Sequence, residues 1–181
     1  MWFTLGAGYY LRGEYEKAID AGEKGLRLAK EIGMPFSVSW SYWHVAMMLR
    51  ATGDLRRARE CAEEALRISQ ECNGKSCEGV ARVLLGCMVE ETTPAIIKEA
   101  QHQIKYGFAI LEELKLKSYS ALGYLHLGKF LANAGQKEEA MESLKKAESL
   151  YQEMEITPES HWLTRTNDAI KKLGSAAGAA Q

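Results

Sequence analysis

Apolar residues recur along this chain at intervals of three and four, in runs broken at regular distances by short polar turns. That spacing is the one face of an α-helix. The runs also repeat. Leu5-Gly6 returns as Val45-Ala46, Leu85-Gly86 and Leu127-Gly128, at offsets of 40, 80 and 122. Ala18 returns as Ala58, Ala100 and Ala140, and Leu28 as Ile68, Ile110 and Leu150. Gly25 returns as Ala65, Gly107 and Ala147. Between the halves of a copy, Gly13 returns as Gly53 and Gly135, whereas the third copy has Thr93 there and an inserted turn, Glu91-Thr-Thr-Pro94.

This pattern predicts an all-α fold of four antiparallel helical hairpins, over about residues 1–33, 35–73, 76–115 and 117–155. The recurring glycine stands where a helix ends in a left-handed turn. Small residues such as Gly6 and Ala18 let the two helices of a hairpin approach closely. One hairpin cannot bury both of its faces, so the copies must stack into a solenoid with a continuous core. Thr157-Pro158-Glu159 then reads as a helix start, with a cap, a proline in the first turn and an acid. The helix it opens, 158–173, carries Trp162, Leu163, Ala169, Ile170 and Leu173, and is expected to cover the last hairpin. Residues 1–173 thus form one array, and 174–181 a loose tail with nothing to bury.

The repeat resembles the tetratricopeptide repeat family. In the first copy Trp2, Leu5, Gly6, Tyr9, Gly13, Tyr15, Ala18, Gly25 and Leu26 fall at that family's signature positions. The second copy keeps Gly53-Asp54-Leu55, Ala58, Ala65 and Leu66. The fourth keeps Leu127, Gly128, Gly135, Ala140 and Ala147, and the third departs most, with Arg82 and Thr93 at signature positions. The resemblance implies a right-handed superhelical solenoid whose task is binding other proteins. A repeat near forty exceeds the usual thirty-four or so and resembles the long arrays attached to bacterial ATPase- and cyclase-type signalling regulators. Such a resemblance implies a cytoplasmic part of a larger signalling protein.

Composition narrows the function further. Lys plus Arg number 23 against 24 Asp plus Glu, for a net charge of −1, which argues against a nucleic-acid binder. No apolar run approaches the roughly 18 residues needed to span a bilayer, and the N-terminus lacks the pattern of a signal peptide. Cys61, Cys72, Cys77 and Cys87 match no zinc or redox spacing and read as reduced thiols. His44 and His126 occupy equivalent positions two hairpins apart, with no carboxylate or cysteine at ligand spacing. No phosphate-binding glycine loop is present. The expectation is a protein without enzymatic activity, metal or cofactor.

In the resembled family the first helix of each hairpin lines the concave groove. Carried onto this sequence, the partner-binding positions are Tyr10, Trp40, Trp43, His44, Met47, Arg50, Glu90, His126, Lys129 and Asn133. Trp40, Trp43, Met47 and Arg50 make the second hairpin the richest, since such residues dominate interface hot spots. Packing against neighbouring helices is the alternative for each tryptophan. Arg50 and Lys129 suit a carboxylate, but Glu90 between them opposes a strongly acidic ligand. The expected ligand is therefore a peptide or helix with apolar anchors and few charges. Two alternatives stand beside it. One is sensing of a small molecule in the groove; the other is self-association through an N-terminal edge, Met1-Trp2-Phe3, that no earlier helix covers.

Overall fold

A computed structural model describes residues 2–89, 93–157 and 160–178 of the chain. Among them lie nine α-helices: α1 (Trp2–Leu11), α2 (Tyr15–Ile32), α3 (Pro35–Thr52), α4 (Leu55–Glu71), α5 (Lys75–Gly86), α6 (Pro94–Glu113), α7 (Lys117–Asn133), α8 (Lys137–Glu153) and α9 (His161–Gly178). The first eight pair as α1–α2, α3–α4, α5–α6 and α7–α8, and α9 packs on α8 and α7. The fold is an all-α helical-repeat solenoid.

Its curvature follows from which helices touch. Besides consecutive neighbours, contacts join α1 to α3, α3 to α5, α5 to α7 and α7 to α9. No comparable contacts join α2, α4, α6 and α8 to one another among the described residues. The odd helices therefore form the inner, concave layer and the even helices the outer one. Composition agrees with this. Helix α3 buries residues on nearly every side, from Val38 through Leu49, whereas α4 buries only Ala58, Ala62, Ala65 and Ser69. The outer surface of α4 carries ion pairs one turn apart: Arg56–Glu60 at 2.6 Å, Arg59–Glu63 at 2.9 Å and Arg67–Glu71 at 2.7 Å. Being exposed, each contributes only about 0.3–0.5 kcal/mol.

The repeated small residues act within hairpins. A Cβ placed on Gly86 would stand 2.8 Å from the Ala100 carbonyl oxygen, and one on Gly128 3.1 Å from that of Ala140. On Gly6 it would meet the Ala18 carbonyl at 3.3 Å and Met48 at 2.8 Å. The signature glycine of the inner helix thus faces the signature alanine of its outer partner.

Within hairpins, Gly13, Gly53 and Gly135 adopt left-handed φ of 76°, 86° and 80°. The third hairpin lacks such a glycine, and its inner helix α5 ends early, at Gly86, so Cys87 lies beyond the helix. Helix α6 then starts afresh, with the Thr93 side chain accepting from the Ile96 N–H at 3.4 Å and Pro94 in the first turn.

The last helix differs from its expected span of 158–173. It begins at His161, where Ser160 Oγ accepts from the Leu163 N–H at 3.3 Å. Its end reaches Gly178, because the alanines after Gly174 favour continuation of the helix. Pro158 and Glu159, read as the helix start, lie outside the described residues, as do Glu91 and Thr92 of the inserted turn, and Met1 and the side chains of Trp2 and Phe3 at the expected N-terminal edge.

Candidate functional site

The concave face, expected from the family resemblance to be a groove lined by the first helix of each hairpin, differs between its two ends. Helices α3 and α7 belong to hairpins two apart, yet their side chains meet across the inner layer. At one end, Trp40 and Trp43 of α3 lie 5.2 and 5.8 Å, centroid to centroid, from the Tyr119 ring of α7. Trp40 and Trp43 cross edge to face at 5.5 Å, and His44 packs 5.0 Å from Trp43. This leaves Trp43 only 6% exposed, with Trp40 and His44 half-buried. The His44 Nδ1–H donates to the Trp40 carbonyl at 2.8 Å, and burial lowers the imidazole's pKa although that bond favours the proton.

Trp43 is therefore a core residue, as are Met47 and the apolar parts of the inner layer around it. At this end of the face half-buried Trp40 and exposed Phe36 lie nearer the surface than Trp43. The physical reason is side-chain reach: the rings of Trp40, Trp43 and Tyr119 are large enough to meet across the inner layer.

Two turns farther along α3 the inner face opens. Arg50 Nη1 of α3 donates to His126 Nδ1 of α7 at 2.7 Å. Since that nitrogen accepts, the ring proton sits on Nε2, which is buried without a hydrogen-bond partner. Burial first, then the charges of Arg50, Lys129 and Arg165, push the His126 pKa well below its usual value, so the ring is a neutral donor. One turn beyond it, half-buried Lys129 makes no hydrogen bond or ion pair with any described residue. Desolvation, reinforced by Arg165 and Arg50 and partly offset by Asp168, lowers its pKa to about 8. Tyr10 and Asn133 also line this space, Tyr10 buried and Asn133 exposed.

The far wall comes from α9. Arg165 Nη1 donates to the Tyr10 hydroxyl at 3.1 Å and to His161 Nε2 at 3.3 Å, while Trp162 stacks on Tyr10 at 5.7 Å. The two ends of the array, α1 and α9, thus touch across the concave side. The result is a cavity of about 670 Å³, whose apolar walls include Met47, Met88 and Phe130 and whose polar groups are Arg50, His126, Lys129, Asn133 and Arg165.

Of the ten positions expected to bind a partner, the structure gathers Tyr10, Met47, Arg50, His126, Lys129 and Asn133 around this cavity. Trp40, Trp43 and His44 form the separate aromatic contact, and Glu90 lies outside the described residues. Arg165 was not among the expected positions. No residue pattern marks it as a groove residue, because it sits beyond the fourth repeat and the closure of α9 onto α1 brings it there.

Cys87 borders the cavity, but burial pushes its thiol pKa up to about 12, so it is a protonated wall group. Burial likewise raises Cys77 to about 12 and Cys61 to about 11. Among the described residues no three of His, Cys, Asp and Glu cluster as metal ligands do, and no helix is long and apolar enough to cross a membrane.

Stacked helical hairpins, odd helices inside and even outside, define the class: a helical-repeat array. Residues 38–76 match one family model, and residues 121–154 a second, both described as tetratricopeptide repeat. The chain carries tetratricopeptide repeats, which supports its assignment to that family. Among solved structures, the apo form of RapI is similar with a TM-score of 0.60 at 16% identity, over 97% of this chain and 66% of that one. That likeness concerns the fold, and the chain spans about two thirds of the RapI chain. No curated protein matches. Repeats of this kind are typically interaction modules rather than enzymes.

Proposed function

We propose that this array binds a short segment of a partner protein on its concave side, in the cavity bounded by α1, α3, α7 and α9, and that it does so as part of a larger regulatory protein. The observation that carries the reading is the cavity itself. It pairs apolar walls with a few inward polar groups, the usual make-up of a recognition site. The closure of α3 on α7 at the aromatic end limits what enters to an extended chain end or a projecting side chain. A whole helix lying along the groove, the other ligand expected from the sequence, would need Trp40, Trp43 and Tyr119 to part.

The test is capture of partners by the wild-type chain and by a folded Lys129→Ala, Arg165→Ala double variant, followed by cross-linking of the captured segment. A segment held only by the wild type and cross-linked to cavity residues supports the reading. Identical capture by both proteins, or cross-links confined to the outer helices, would sink it.

A second reading, self-association, draws on a different surface. Leu5, Leu11, Leu28 and Ile32 of the first hairpin are exposed, at 43%, 45%, 43% and 59%. A dimer through this edge predicts a concentration-dependent mass that Leu28→Glu with Ile32→Glu abolishes. A monomer at all concentrations would remove this reading.

A further inference from the structure

Resting on the reading that this cavity is the binding site, we propose that its anchoring pocket takes a phosphate monoester, held by Arg50, Lys129 and Arg165, with His126 positioning Arg50. The argument begins with hydrogen-bond chemistry. Arginine and lysine are donors only. The fourth group, His126, spends its one acceptor on Arg50 and is left with a buried, unpartnered Nε2–H. Arg50, Lys129 and Arg165, from three helices, therefore offer donors to one cavity, whereas the His126 Nε2–H is buried away from accessible surface and His126 serves to orient Arg50; donors left without acceptors are costly. A ligand that supplies only acceptors relieves that cost.

Charge selects among such ligands. Arg50 and Arg165 are permanent cations, and Lys129 adds a third positive charge at neutral pH. None of the three forms an ion pair with a described carboxylate; the acid whose charge Lys129 feels is the exposed Asp168, and Lys172 beside it is another cation. One carboxylate group would bring a single charge and two acceptor oxygens. A phosphate monoester brings nearly two charges and three strong acceptor oxygens on one centre, and guanidinium forks match its geometry. The cavity, at about 670 Å³, is far larger than a phosphate group, so Tyr10, Met47, Met88 and Phe130 would face the body that carries it.

That body has two sources with the same chemistry: a phosphorylated side chain of the bound segment, or a free small phosphomonoester. The position of Arg165 adds a consequence. It already ties α9 to Tyr10 of α1, so a phosphate bound here joins the first and last helices of the array.

The experiment is titration calorimetry of the full chain, near neutral pH and at matched ionic strength. The probes are inorganic phosphate, glycerol phosphate, a short phosphoserine peptide, acetate and succinate. The expected result is saturable binding of the phosphate probes, weakened about tenfold or more by Lys129→Gln, the loss of one charge-assisted hydrogen bond. Lys129 makes no hydrogen bond or ion pair with a described residue, so this variant should fold as the wild type does, as its melting temperature will verify. Arg165→Gln should weaken the same probes. The tighter of glycerol phosphate and phosphopeptide identifies the source, and either outcome supports the site. Carboxylates binding as well as phosphates, phosphate binding indifferent to both variants, or no phosphate binding would overturn it. If phosphate fails while cavity-dependent partner capture persists, only this inference falls; if capture fails as well, so does the reading beneath it.

Discussion

The two ends of α3 meet the same neighbour, α7, and produce opposite results. At the N-terminal end Trp40 and Trp43 close on Tyr119 into a dry aromatic contact. At the C-terminal end Arg50 bridges to His126 and a cavity remains. Aromatic rings gain from mutual contact through area and edge-to-face geometry. Cationic groups repel one another and resist desolvation, so Arg50, Lys129 and Arg165 cannot collapse together. A solenoid's concave face is therefore not a uniform groove. Its side chains decide where the superhelix seals itself and where it stays open.

The sharpest break of this contrast is Trp43→Ala. If the aromatic end is core, losing an almost wholly buried indole costs about 3–5 kcal/mol, a large part of the stability of any single domain. Denaturant unfolding followed by far-UV circular dichroism measures it. A loss under about 1 kcal/mol would mean that Trp43 is poorly packed and free to serve a partner, and the two ends would then be alike.

That expectation also marks how far the sequence can be read. The hairpins and their stacking were legible because they depend on local periods: helix spacing, the glycine after α1 and α3, and the small residues where helices cross. Gly86 opposite Ala100 and Gly128 opposite Ala140 are such cases. Trp43 was legible as an inner-face residue, but whether it packs as core or meets a partner was left open between two readings. Its burial depends on Tyr119, seventy-six positions away, and on how strongly the array curves. Arg165 was harder still, since it reaches the cavity only after four hairpins have turned far enough to bring α9 onto α1. Long-range closure sums small rotations per repeat, and no residue pattern encodes that sum.

At the cationic end the next effect is pH dependence. The unfolded His126 imidazole takes up a proton as pH falls through 6.5, while the folded ring, held well below that value chiefly by burial, does not. The unfolded state then binds more protons, so stability is full above 6.5 and declines as pH drops toward the folded value. His44 and His161 are lowered by burial in the same sense. Denaturant midpoints measured from neutral to mildly acidic pH should fall, and His126→Gln should reduce the slope without removing it. An unchanged slope would show that the Arg50–His126 contact carries no such cost.

Lys129→Met should stabilise the fold, unlike Trp43→Ala. The amine's pKa, lowered to about 8 from an ordinary 10.5, makes its charged form a burden on the fold at neutral pH. The unfolded state binds more protons between those two values, so wild-type stability rises as pH climbs from about 8 toward 10.5. Because the group is half exposed, solvent screening leaves only about 1 kcal/mol of gain for the methionine variant at neutral pH. Thermal melts in phosphate-free buffer would measure it. A destabilised variant would mean that Lys129 has a structural partner, and the contrast between a sealed aromatic end and a cation-strained open end would weaken.

The smallest effect tests where the aromatic end stops. Phe36 lies 6.5 Å from Trp40 in an edge-to-face arrangement, yet it is 52% exposed. If the sealed contact ends at Trp40, Phe36→Ser should change stability by no more than about 0.5 kcal/mol, the range of ordinary surface substitutions. Chemical denaturation of this variant alongside Trp43→Ala gives the comparison directly. A cost above about 1.5 kcal/mol would extend the core outward to Phe36 and leave this end with no aromatic surface to offer a partner. A negligible cost leaves Phe36 and the outer edge of Trp40 as a small aromatic ledge at the opposite end of α3 from the cavity. A peptide long enough to lie along α3 could then place an apolar side chain on that ledge and its charged group between Arg50 and Lys129.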